Sequence, residues 1–162
     1  MSVLVIGGSR GAGREIALAA GKKGRNVIVV ARGPDDARKT AVSLLGCGSM
    51  SIPILADAED LADRAATDRV LTAVWRSTGQ FMKCLVLATP KVRSGVLGPL
   101  ATVVRRGAQQ ELESVVAVAD DPKILEEIET ALEGVPRKVA FTAVVSGGAE
   151  TVARALEALK IA

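Results

Sequence analysis

Near its N-terminus the chain reads Gly7-Gly8-Ser9-Arg10-Gly11-Ala12-Gly13, directly after the apolar run Val3-Leu4-Val5-Ile6. The spacing Gly7-x-x-x-Gly11-x-Gly13 has a physical meaning where a strand turns into a helix. Gly7 permits the tight turn out of the strand, and Gly11 lets backbone approach a pyrophosphate. Gly13 lets the helix pack against the sheet. The first N–H groups of that helix, which continues through Arg14-Glu15-Ile16-Ala17, then face the anion. A glycine triple alone says little. Set between a strand and a helix, it has the context that dinucleotide binding requires.

The second strand ends in Val30-Ala31-Arg32-Gly33. A carboxylate about 20 residues beyond the glycines would hold a ribose 2′-hydroxyl, and it is missing here. Arg32 would instead pair with a 2′-phosphate. Arg10 is a second cation for that phosphate, with Ser9 as a hydroxyl donor. Two cations without a carboxylate point to NADP(H) rather than NAD(H). The competing reading makes Arg10 and Arg32 solvated loop residues.

The sequence holds no His and no Tyr, which removes the commonest general base and the commonest phenolic acid. Asp120 and Asp121 lie at a strand end where a proton could be exchanged. Followed by Pro122, they read better as a helix N-cap with Pro in the first turn. Ser146-Gly147-Gly148 reads as the loop capping the last helix, and Lys91 and Arg93 read as solvated loop charges. Of the two cysteines, Cys84 lies in an apolar run as a buried small hydrophobe and Cys47 is a loop thiol between glycines. No His/Cys/carboxylate cluster has metal-ligand spacing.

Elements that could position these groups alternate along the chain. Strands are expected at 3–7, 26–31, 51–56, 83–88, 114–119 and 138–145. Segments with helical spacing run over 14–23, 35–45, 61–77, 122–133 and 150–161, with a further helix at about 97–106 inside the Gly- and Pro-interrupted stretch 89–110. The strands are unbroken apolar runs, which implies burial on both faces and a parallel sheet. The expected fold is therefore α/β, a doubly wound parallel six-stranded sheet of the Rossmann type with helices on both faces. Residues 1–162 are expected to form one dinucleotide-binding domain.

The glycine loop, Arg32 and Asp57-Ala58-Glu59-Asp60 together resemble the short-chain dehydrogenase/reductase family. Its loop is Thr-Gly-x-x-x-Gly-x-Gly, which this chain matches at Gly7, Gly11 and Gly13, with Ile6 in place of Thr. Arg32 matches the basic residue of NADP-preferring members, and the resemblance places Asp57 and the backbone of Ala58 at the adenine. It also sets Ala88 and Thr89 beside the nicotinamide ribose, although Leu87-Ala88-Thr89-Pro90 replaces the family's Asn-Asn-Ala-Gly. The family's catalytic Ser is replaced by Ala119-Asp120-Asp121, and its Tyr-x-x-x-Lys is absent. The resemblance further implies association as a homodimer or with a partner subunit, through helices holding Val103, Val104, Ile124 and Ile128; burial in the core is the default for these four.

Totals narrow the classes. The 21 basic and 18 acidic residues are nearly balanced and aromatics make up 2%, so nucleic-acid binding has neither a basic face nor stacking rings. No apolar run reaches the ~20 residues of a membrane helix, and a cytoplasmic location is expected. Three functions stay open. The first is an NADP(H)-binding protein without the family's catalysis, acting as a sensor or structural subunit. The second is a small NADPH-dependent reductase of flavins, quinones or carbonyls. The third is a partner-binding scaffold with no nucleotide.

Overall fold

A computed structural model describes residues 2–49, 51–55, 63–79, 82–88, 97–135 and 138–161. Its elements run β1 (Ser2–Ile6), α1 (Gly11–Lys22), β2 (Asn26–Ala31), α2 (Pro34–Gly46), β3 (Ser51–Leu55) and α3 (Arg64–Thr78). They continue with β4 (Met82–Ala88), α4 (Leu97–Ala108), β5 (Ser114–Ala119), α5 (Pro122–Ala131), β6 (Ala140–Val145) and α6 (Thr151–Ala158). The expected strands and helices are all present, with ends moved by a few residues.

Among the described residues the six strands form one sheet in the order β3-β2-β1-β4-β5-β6. Every neighbouring pair is parallel. Val, Ile and Leu dominate the inner strands because a parallel sheet covered on both faces offers no wet side. Val3, Leu4 and Val5 are accordingly without exposure.

Alternate side chains feed two cores. Val3, Val5, Val27 and Val29 meet Ile16, Ala17, Ala20, Ala37, Leu44 and Ala155, which α1, α2 and α6 supply. Leu4, Ile28, Leu85 and Leu87 meet Val70, Val74, Val103, Val104, Leu125 and Ile128 from α3, α4 and α5. Fully burying each such side chain contributes about 1.5–3 kcal/mol. Val103, Val104 and Ile128 thus belong to the core, and Ile124 packs partly buried against it.

The strand β6 departs from burial on both faces. Ala140, Thr142, Ala143 and Val145 are exposed, and Val144 is buried. As the last strand in the order, β6 has a neighbour on one side only, and α5 and α6 cover it incompletely.

The two halves of the sheet meet at β1 and β4, and the chain passes from one to the other on its way from β3 to β4. Ile6 pairs with Val30 of β2 on one side and with Leu87 of β4 on the other. At this switch point the connections leave in opposite directions and open a crevice beyond the C-terminal strand ends.

Candidate functional site

The β1–α1 loop lies over that crevice. Gly7 turns the chain with φ +81°, and its N–H donates to the Val30 carbonyl oxygen at 3.0 Å. A Cβ on Gly7 would overlap the carbonyl oxygen of Ala88, so only glycine lets the loop cross β4 this closely. A Cβ on Gly13 would likewise overlap the Gly7 carbonyl oxygen and the Ala88 Cβ. Gly11 differs, since it is left-handed at φ +54° and a Cβ built on it would meet nothing within 4 Å. Two glycines therefore press the loop onto the sheet, and the third faces open space.

The first turn of α1 begins at Gly11, three residues before the expected Arg14. Arg10 is its N-cap in extended geometry, with no side-chain cap hydrogen bond. Gly33, the N-cap of α2, likewise gives none. By contrast Asp63 caps α3 and Asp121 caps α5, each accepting from a backbone N–H. The two helix starts bordering the crevice from the β1 and β2 side thus keep orphan donors, which favour an anion.

Ser9 and Arg10 stand in this loop, and Arg32 follows β2 across the same corner. Arg32 is exposed and forms no ion pair with another described residue. Arg10, the second cation read for the 2′-phosphate, is paired with an acid. Its Nε donates to Asp36 Oδ2 at 2.6 Å, and its Nη2 lies 2.5 Å from the same oxygen. Farther along the same two helices, Arg14 Nη2 donates to Ser43 Oγ at 3.4 Å. Asp36 went unread in the sequence because an acid just after Pro34 looks like an ordinary first helical turn. Its partner Arg10 lies 26 residues earlier, and no local spacing signals the pair.

Ala88 is 6% exposed and its Cβ faces Gly13, so it supports the underside of the loop. Asp57, Ala58 and Thr89, together with Lys91 and Arg93, lie outside the described residues.

At the far strand ends the two neighbouring acids separate. Asp121 Oδ1 accepts from the Lys123 N–H at 2.9 Å as a helix cap. Asp120 accepts from the Ser146 hydroxyl, which joins the ends of β5 and β6. The loop Ser146-Gly147-Gly148 meets α6 through the Gly148 carbonyl oxygen, which accepts from the Thr151 N–H at 3.2 Å, and the N-cap Glu150 gives no side-chain cap bond. Among the described residues no group of His, Cys, Asp and Glu could hold a metal ion, and no helix is long and apolar enough to cross a membrane.

Comparison with known proteins agrees with this architecture. The sequence pattern of the short chain dehydrogenase family matches residues 1–88, from β1 through the end of β4. No curated protein matches the chain. Among solved structures, a short-chain type dehydrogenase/reductase from Mycobacterium marinum superposes with a TM-score of 0.63 at 18% identity, over 74% of this chain and 55% of that one. This chain thus spans about half the length of that relative. LigD from Sphingobium sp., in its apo form, gives 0.66 at 17% identity over 97% of this chain and 84% of its own. The citronellol catabolism dehydrogenase of Pseudomonas aeruginosa gives 0.69 at 20% identity, over 90% and 73%. These likenesses show the same fold, and the match to the family pattern extends past the glycine loop and Arg32 to the Gly7–Ala88 contact.

Proposed function

Because the chain belongs to the short-chain dehydrogenase family, we propose that it binds NADP(H) in the crevice between β1 and β4. The pyrophosphate would rest on Gly11, Ala12 and Gly13 at the start of α1. The adenosine 2′-phosphate would lie between Arg10 and Arg32 with Ser9 beside it, and Asp57 and Ala58 would border the adenine. The observation that carries this reading is the conjunction at Gly11 of open space and a helix start without a side-chain cap. Gly7 and Gly13 support it, since a Cβ on either would push the loop off the sheet and close the cradle.

Bound there, NADP(H) would supply hydride chemistry. This chain's residues hold the anion through backbone N–H groups and the 2′-phosphate through guanidinium groups. The family's proton exchange through a Tyr beside a Lys has no counterpart in a sequence without Tyr. The role proposed is therefore cofactor binding without that chemistry, as a sensor or a structural subunit. Calorimetry with NADPH and NADH tests it. A preference for NADPH supports the reading, and the absence of heat and of any thermal shift at millimolar NADPH overturns it.

A second reading, a small NADPH-dependent reductase, draws on the Asp120–Ser146 pair, a polar contact at the strand ends that no helix cap uses. Following NADPH absorbance with flavins, quinones and simple carbonyls separates the two. Turnover favours the reductase, and flat traces leave the binding role.

A further inference from the structure

We infer that Asp36 lowers the preference of this site for NADP(H) over NAD(H) by competing with the cofactor's 2′-phosphate for Arg10. The inference rests on the cofactor reading above and adds to it a residue that works against the phosphate.

Arg10 stands in the β1–α1 loop and Asp36 in the first turn of α2, so their pair bridges the two segments that flank Arg32. Both nitrogens that Arg10 commits, Nε and Nη2, converge on one oxygen, Oδ2 of Asp36. The guanidinium side chain is 84% exposed and the carboxylate side chain 30%. The acid is thus the fixed partner, seated on its helix, and the arginine is the arm that can move.

A 2′-phosphate set between Arg10 and Arg32 needs donors that Asp36 now holds. It must draw Arg10 away or share it, and in either case a dianion comes near a carboxylate of like sign. A ribose with a free 2′-hydroxyl meets no such opposition, because a hydroxyl can donate to a carboxylate. Asp36 therefore weakens binding of the phosphorylated form selectively. Because the pair is largely exposed, the effect is several-fold rather than orders of magnitude.

Titration of 2′,5′-ADP and 5′-AMP into the wild type and Asp36→Asn by calorimetry isolates the 2′-phosphate from the rest of the cofactor. In the variant the affinity for 2′,5′-ADP should rise roughly three- to tenfold. The affinity for 5′-AMP should stay within about twofold, and the gain should shrink in high salt. It should also vanish in an Arg10→Met background, since no arginine is then contested. Asp36→Ser repeats the test if Asp36→Asn lowers the melting temperature.

Weaker binding of 2′,5′-ADP in the variant would overturn the inference, because Asp36 would then be orienting Arg10 for the phosphate. An unchanged affinity, or an equal change for both ligands, overturns it as well. Those outcomes leave the NADP(H) reading standing. Binding of 5′-AMP but not 2′,5′-ADP by both proteins overturns the NADP(H) reading itself, and the inference with it.

Discussion

Gly13 and Ala88 lie so close that a Cβ built on Gly13 would stand 2.7 Å from the Ala88 Cβ and would also overlap the Gly7 carbonyl oxygen. The contact locks the start of α1 onto the end of β4 at the point where the strand order reverses. Gly13→Ala should therefore act on fold and site together. Overpacking of this kind costs about 1–3 kcal/mol, read as a lower melting temperature, and NADPH binding should weaken at least about tenfold as the loop lifts.

Gly11→Ala offers the contrast. The new methyl meets no protein atom within 4 Å, and its cost is the left-handed backbone at φ +54°. That strain is about 1–2 kcal/mol. The methyl would stand in the open space proposed for the pyrophosphate, so affinity should fall by more than the loss of stability accounts for. Equal losses of binding in Gly11→Ala and in an exposed glycine remote from the crevice, such as Gly46→Ala, would place the pyrophosphate elsewhere.

Arg32→Ala should lower affinity for NADPH and spare NADH. A charge-assisted contact is worth about 1.5–3 kcal/mol, or roughly ten- to a hundredfold in affinity. Because Arg32 has no ion pair with another described residue, its removal breaks no structural bond, and the melting temperature should hold. An equal drop for both cofactors would remove the 2′-phosphate from this corner.

The sheet was legible because its strands are apolar and β-branched, bounded by turn residues, and nothing in the packing opposes that preference. The loop was legible for a different reason, since Gly7 and Gly13 leave no room for a Cβ and Gly11 takes a left-handed backbone. The start of α1 was misplaced by three residues because Gly11 and Gly13 have poor intrinsic helix propensity, and contact with the sheet overrides it. The Arg10–Asp36 pair joins residues 26 positions apart. Such a pairing depends on how α2 lies beside α1, which no local pattern encodes. The exposure of β6 escaped for a related reason, since Phe141-Thr142-Ala143-Val144-Val145 reads as an inner strand and its edge position follows from the strand order.

Asp120 and Asp121 should separate on substitution. Asp121 accepts from the Lys123 N–H and closes the first turn of α5, so Asp121→Ala should cost about 0.5–2 kcal/mol of stability. The exposed Asp120 bonds only with the Ser146 hydroxyl among the described residues, and Asp120→Ala should stay within about 0.5 kcal/mol. Thermal melts of the two variants side by side check this, and neither should alter NADPH affinity if the cofactor-binding role is the whole function. A loss of NADPH oxidation confined to Asp120→Ala would instead support the reductase.

The two thiols should differ in reactivity, and Cys84 should shape stability at high pH. Cys84 is 2% exposed, donates to the Leu159 carbonyl oxygen at 3.7 Å and accepts from the Ser114 hydroxyl at 3.5 Å. Burial pushes its thiol above the ordinary value and the Ser114 hydrogen bond opposes the rise. Cys47 is only partly covered, at the C-terminal end of α2. A thiol reagent at pH 8 should therefore label Cys47 quickly and reach Cys84 only when the fold opens. The raised value in the folded state means that the unfolded chain gives up this proton first as pH climbs. The stability held by a neutral Cys84 is complete below the ordinary thiol range and is lost as pH rises through and above it. Cys84→Ala should flatten that alkaline decline, at the cost of a small cavity and a lower melting temperature at neutral pH.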